Sequence, residues 1–289
     1  MRIDRIHHAT LLVNDLVAAE IFYDTVFSPH CFMRGYAPMP LHRDAALLCV
    51  GENVIEPMQP LPPNDGMPAT TIFRYLDRFG EGMHSLAFII TGWKDVAAKL
   101  EAHGMRWTDG GMADHVFPHP KDFPGLLELA DFGGPTPLPD PRLVPGFDGS
   151  FWRNIHPLGI DRTSHFTLAV RDRHRAAELY RDILDATILP EQAGAEPGAV
   201  SSYVMMHEGS IIEFAEPLNA SSPIAADLER IGECWRGLTF KVLDLDRVAA
   251  HLERCSVRIA SRDDETIRLD RGQTFGVDHA FTTRSFVLS

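Results

Sequence analysis

The chain has 289 residues, 45% of them apolar and 23% charged, a globular composition that excludes collagen-like, coiled-coil and disordered classes. Its formal net charge of −13 provides no general electrostatic footprint for nucleic acid or an anionic membrane, although one cleft can differ from the average. No apolar run approaches the roughly 18 residues of a membrane span, and residues 1–8 lack the apolar core of a signal peptide. Cys31, Cys49, Cys234 and Cys255 form no CxxC pair, so the expectation is a cytoplasmic protein with reduced, packing cysteines.

The elements follow one order. An alternating strand at His8–Val13 leads to Asp15, a plausible N-cap, and an amphipathic helix over 16–27. Short strands are predicted at Ala46–Val50 and Val54–Glu56. The proline-rich stretch Met58–Asn64 then bridges to a second unit, which opens on a strand around His84–Phe88. Asp95 is read as the cap of a helix over 94–103, and Gly104 as its C-terminal glycine. Strands His115–Phe117 and Leu126–Ala130 close that unit. From Gly133 to His156 the chain is rich in Gly and Pro, fits neither period and reads as a linker, with Phe147, Phe151 and Trp152 packing on a domain surface.

The same pattern then returns. His8, Thr10, Leu11, Val13, Asp15 and Tyr23 recur 157 residues later as His165, Thr167, Leu168, Val170, Asp172 and Tyr180, and Ala18-Ala19-Glu20 recurs one residue out of step as Ala176-Ala177-Glu178; Ile55-Glu56 recurs at 157 as Ile212-Glu213. At an offset of 152, Leu76–Glu81 matches Leu228–Glu233, which sets Arg236 opposite His84. At an offset of 151, His279 falls opposite Glu128. The expected architecture is α+β: four βαβββ units in two tandem domains with concave antiparallel sheets. The boundaries are residues 1–135, a linker at 136–156, and 157–289. A strand–helix–three-strand unit exposes one sheet face unless it pairs, and pairing two of them leaves a concave sheet.

Four polar residues occupy strand positions that would otherwise be apolar: His8, Glu56, His84 and Glu128. Burying such carboxylates is costly without a partner or a cation. Any one of the four is explained as well by a satisfied core histidine or a solvated glutamate. Their equivalent places in two repeated units point instead to a mixed nitrogen and oxygen shell for a divalent cation. His115 and His119 read as rim residues. No GxSxG or HExxH motif is present, and the Gly-rich stretches lack phosphate-loop spacing.

The stretch His8-x-x-Leu-x-Val-x-Asp-Leu…Phe22-Tyr23, with Ile55-Glu56…Pro60, Gly82-Met83-His84-Ser85-Leu86-Ala87-Phe88 and Gly125-Leu126-Leu127-Glu128-Leu129, resembles the vicinal oxygen chelate superfamily of glyoxalase I, methylmalonyl-CoA epimerase, extradiol dioxygenases and bleomycin-resistance proteins. The first half is most similar to glyoxalase I and the epimerase. The resemblance implies one divalent ion (Zn, Ni, Co, Mn or Fe) on His8, Glu56, His84 and Glu128, with Glu128 or Glu56 as the catalytic proton acceptor. Family members also swap units between halves, which would make the site His84, Glu128, His165 and Glu213. The long linker favours adjacent pairing.

The implied function is a metal-dependent isomerase, epimerase or lyase acting on a small oxygenated organic substrate through a metal-stabilised enolate. The rivals are an Fe(II) ring-cleaving dioxygenase and a non-catalytic drug-binding protein. The second-half equivalents, His165, Glu213, Arg236 and His279, read as a degenerate site, since a guanidinium donates and cannot ligate. The partner expected is a small-molecule substrate, with no nucleic acid or membrane and a homodimer as a possible assembly.

Overall fold

The computed structural model describes residues 1–133, 140–207 and 209–288. The first unit comprises β1 (Arg2–Leu12), α1 (Leu16–Phe27), β2 (His30–Ala37), β3 (Arg43–Val50) and β4 (Asn53–Pro60). The second adds α2 (Thr71–Phe79), β5 (Gly82–Thr91), α3 (Trp93–Ala102), β6 (Trp107–Thr108), β7 (His115–Pro118) and β8 (Leu127–Ala130). After α4 (Ser150–Asn154) the third unit runs β9 (Ile160–Ala169), α5 (Arg173–Leu184), β10 (Thr187–Ile188), β11 (Ala199–Met205) and β12 (Ile211–Pro217). The fourth is α6 (Pro223–Arg230), β13 (Cys234–Val242), α7 (Leu245–Arg254), β14 (Ile259–Arg262), β15 (Thr266–Leu269) and β16 (Asp278–Thr282).

Two eight-stranded sheets result, in the orders β2-β3-β4-β1-β5-β8-β7-β6 and β10-β11-β12-β9-β13-β16-β15-β14. Each sheet is built from units adjacent in sequence. Most neighbours run antiparallel, but β1–β4 and β5–β8, with their counterparts β9–β12 and β13–β16, are parallel.

The local rules are visible in the helices. Asp15 caps α1 by accepting from the Ala18 N–H at 3.0 Å, and Asp172 caps α5 through His174 and Arg175. α1 buries Leu16, Ala19, Tyr23, Val26 and Phe27, a stripe at helical spacing. Asp95 is not the cap of α3: Gly92 holds that position in the left-handed region, and Asp95 lies in the first turn. Gly104, also left-handed, follows the end of α3 as expected.

The halves are not separately closed. One apolar cluster takes in α1, α3, α5, α7 and residues of both sheets. Phe27 of the first half lies 5.4 Å from Phe240 and 6.0 Å from Phe281 of the second, ring centre to ring centre. Phe123 in turn packs on Tyr180 at 4.9 Å. Hydrogen bonds tie the same seam: Tyr23 Oη to His279 Nε2 at 2.8 Å, and the Trp235 indole N–H to the Leu126 carbonyl at 2.8 Å. At Gly276 (φ 74°) a Cβ would lie 2.4 Å from the Glu81 carbonyl oxygen, so the seam itself requires glycine there.

Residues 134–139 of the Gly/Pro-rich segment lie outside the described residues. The rest is not a free linker. Arg142 donates to the carbonyls of Ile6, His7 and Glu52, and Trp152 is buried with its indole N–H on the Phe27 carbonyl at 2.7 Å. Phe147 and Phe151 pack beside it, as the sequence predicts.

This shared core predicts that Phe27→Ala lowers stability by about 3–5 kcal/mol, and that both halves melt in one transition; two calorimetric transitions would contradict it. Burial lowers the His279 pKa from 6.5 to about 4. As pH falls through that window the unfolded chain takes up a proton that the folded state refuses, so stability drops. Urea midpoints for the wild type and His279→Gln, compared above and within that window, check the sign: the wild type loses more on acidification.

Candidate active site

The sheet registers decide where the chemistry-bearing side chains meet. On β5, Leu86, Phe88 and Ile90 belong to the apolar core, which turns Ala87 to the opposite, concave face. Ala87 is paired with His8 on β1 and with Glu128 on β8. His8 and Glu128 therefore flank a methyl group in one row across three strands. On the other side of β1, Thr10 pairs with Glu56 of β4. Between the Leu11–Met83 and Thr10–Ser85 pairs the register shifts, and His84 sits at that bulge. A bulge re-aims a side chain out of strict alternation.

His8 and Glu56 touch, with Nε2 to Oε2 at 3.2 Å. Glu56 is buried and fully engaged: Oε2 also accepts from the Thr10 hydroxyl at 3.0 Å, and Oε1 from Arg43 Nη2 at 3.0 Å. Burial works against ionisation of Glu56, but His8 and Arg43 outweigh it and hold the carboxyl below its ordinary pKa. Burial likewise opposes the charge on His8, and Glu56, with Glu128 farther off, raises that imidazole above its usual value. His7 makes its side-chain hydrogen bond to His8, Nδ1 to Nδ1 at 2.6 Å, and burial drives its pKa to about 3.

His84 is kept neutral by burial, its pKa lowered to about 4. Its Nδ1 lies 3.1 Å from the Ser85 hydroxyl, and its ring stands edge-on to Tyr75 of α2. Glu128 differs from Glu56. Its side chain is 28% exposed, and the His115 imidazole lies beside it, Nε2 to Oε1 at 3.8 Å. His115 is thus a buried strand residue facing Glu128, not a rim loop residue, while His119 turns to the Lys121 N–H.

Among the described residues no three His, Cys, Asp or Glu side chains already form a metal-holding group. The donor chemistry nevertheless fits a divalent cation. Two imidazoles, one of them neutral, and two carboxylates share a face, and the 3.2 Å between His8 and Glu56 suits two donors on one ion at about 2.1 Å. Arg43 is the residue that sequence reasoning missed. It opens β3 two residues before the buried run Ala45–Val50, where a cation signals a buried anion on the neighbouring strand.

The second half departs from this pattern. Thr167 pairs with Glu213 as Thr10 does with Glu56, and His165 Nε2 lies 3.4 Å from Glu213. Glu213 is completely buried and also accepts from Ser201, Tyr203 and the N–H groups of Ala195 and Glu196. Arg236 occupies the bulge corresponding to His84. The register also corrects one equivalence: Thr239 pairs with Ala280 as Ala87 pairs with Glu128, so the counterpart of Glu128 is Ala280. The strand segments repeat at 152, and His279 points into the core against Tyr23, Phe27 and Phe240. The swapped grouping of His84 and Glu128 with His165 and Glu213 is not formed, because each sheet is built from its own two sequence-adjacent units.

A tandem pair of βαβββ sheets, with polar side chains at matched positions on their concave faces, defines the class of protein. Residues 164–275 match the family model of the Glyoxalase/Bleomycin resistance protein/Dioxygenase superfamily, and the whole chain has a tandem two-domain fold of the vicinal oxygen chelate type. A variant of 4-hydroxymandelate synthase from Streptomyces coelicolor superposes with a TM-score of 0.68 at 16% identity, over 99% of this chain and 94% of that one. Methylmalonyl-CoA epimerase from Mycobacterium tuberculosis is 24% identical over 43% of this chain and 87% of its own, with a TM-score of 0.40. The epimerase of S. coelicolor gives 21%, 42%, 96% and 0.39. No curated protein matches the chain in sequence. The superfamily includes epimerases and dioxygenases, and its members commonly bind a divalent metal. Among the described residues no helix is long and apolar enough to cross a membrane.

A cation held on the first sheet predicts that His84→Ala and His8→Ala both lose about one divalent ion per chain in elemental analysis, while His165→Ala retains it. Full occupancy in His84→Ala would contradict the assignment.

Proposed function

We propose that the first half is the active centre of a divalent-metal-dependent isomerase, epimerase or lyase for a small oxygenated organic substrate. The observation that carries this reading is the contrast between its two carboxylates. Glu56 is paired on both oxygens, whereas Glu128 projects on the same concave face without such partners.

His8, Glu56, His84 and Glu128 are the residues that would hold the ion, and a divalent cation there supplies Lewis acidity toward a substrate carbonyl or two neighbouring oxygens. Glu128 is the proton acceptor for the carbon beside that oxygen. Returning the proton to the other face or a neighbouring atom gives epimerisation or isomerisation; expelling a β-substituent gives a lyase. Arg43 and Thr10 hold Glu56 ionised and fixed, so it serves as an anchor and not as the mobile base. His115 supports Glu128 from β7.

One observation favours a second reading. If Arg43 retains Glu56, the remaining donors are His8, His84 and Glu128, the two-histidine, one-carboxylate set of non-haem Fe(II) oxygenases. The two readings separate cleanly. Proton-transfer chemistry predicts solvent deuterium entering the reacting carbon under anaerobic conditions, with Glu128→Gln lowering kcat about 10²–10⁴-fold and KM little changed. Stoichiometric oxygen uptake with a catechol, and no exchange, would replace it with the dioxygenase. Candidate substrates are hemithioacetals of 2-oxo aldehydes, 2-methyl acyl thioesters and catechols.

A further inference from the structure

A cavity of about 480 Å³ lies on the concave face of the second sheet, away from the four residues of the first. Its volume is that of a small-molecule pocket. Its floor includes Arg236, Thr239 and Ala280, so two positions that carry His84 and Glu128 in the first half hold a guanidinium and a methyl group here. The remaining carboxylate, Glu213, is consumed by protein hydrogen bonds. The donor set for a metal is gone, and a fixed organic cation stands in its place.

Arg236 is 2% exposed, and its charge is met from below. It pairs with Asp227, and its Nη2 lies 2.7 Å from Asp278. Arg271 shares both aspartates, at 2.9 and 3.1 Å, and the half-exposed Arg230 reaches Asp227 at 3.2 Å, so the aspartates beneath Arg236 are fully paired. Asp270 at the wall is matched by Arg258 at 2.7 Å. Three lining groups stand outside that cluster. Arg268 donates to the Ala195 carbonyl and lies 3.5 Å from Asp263. Arg284, at the mouth, donates only to the carbonyls of Ala193 and Gly194. Glu196, on the loop above the cavity, faces Arg236 at 3.5 Å, its only side-chain partner and well beyond the 2.7–2.9 Å of a good charge-assisted bond. The Glu196 backbone is anchored on Glu213, while its carboxylate holds Arg236 only at that long distance.

We propose that this cavity is a metal-independent binding site for a small organic acid with an apolar body, whose carboxylate replaces that of Glu196 against Arg236. The incoming carboxylate takes the place of Glu196 beside Arg236, so the buried guanidinium keeps an acidic partner and is not left uncompensated. Arg284 at the mouth attracts the incoming carboxylate and then meets the displaced Glu196. Leu269, Pro223 and Phe286 supply the apolar wall for the rest of the ligand, and Ala280 the space that a longer side chain would fill. Consistent with an ill-satisfied carboxylate, burial and the nearby Asp278 push the Glu196 pKa up to about 7.

Benzoate, with its neutral isostere benzamide, tests this by isothermal titration calorimetry in the presence of EDTA. The expected result is one benzoate per chain and at least tenfold weaker binding of benzamide. Ala280→Leu fills the cavity without touching a buried charge and is expected to weaken benzoate at least tenfold at an unchanged melting temperature. Glu196→Gln removes the competing carboxylate from the half-buried loop above the cavity and is expected to tighten benzoate several-fold. Absence of benzoate binding by the wild type, equal binding of benzamide, or weaker benzoate binding by Glu196→Gln would overturn the proposal.

Discussion

A carboxylate buried in a sheet has to be neutralised, and the partner it finds decides what each half of this protein can do. Glu56 and Glu213 occupy the same position in the two sheets, each with a threonine hydroxyl and an imidazole beside it. Glu56 adds only Arg43 to those two. Glu213 adds two more hydroxyls and two backbone N–H groups, which fasten the loop at 195–196 over its sheet. One carboxylate remains within reach of a cation, and the other has become part of the scaffold.

The concave faces can diverge because their stability is underwritten elsewhere. Helices α1, α3, α5 and α7 share one continuous apolar core with both sheets, and Phe27, Tyr23, Phe240 and Phe281 bind one half to the other. A chain stabilised by that core tolerates replacement of His84 and Glu128 by Arg236 and Ala280 in the second copy. The same seam makes the halves mechanically one body, although each sheet is assembled from its own adjacent units.

Much of this was legible in the sequence, because the repeat is written in strand residues whose period is two. The fixed offset between His8 and His165, and between Glu56 and Glu213, survives as identical register in the two sheets. Three features were not legible. The equivalence of Glu128 slipped by one residue, since a one-residue shift between 151 and 152 is invisible where Leu-Glu-Leu-Ala meets His-Ala-Phe. The shared core escaped because a helical stripe shows that a face is buried and not which sheet buries it. Arg43 escaped because its partner lies across a turn on the neighbouring strand, and pairing of that kind is set by register rather than by local pattern.

The central claim is that the two halves hold opposite chemistries at matched positions, a cation site in the first and a guanidinium in the second. Anomalous diffraction from crystals soaked in a divalent transition metal tests it most directly. The account predicts one strong peak per chain at bonding distance, about 2.0–2.3 Å, from His8, Glu56, His84 and Glu128, with none beside Arg236. A peak on His165 and Glu213, or none on the first sheet at saturating metal, would contradict it.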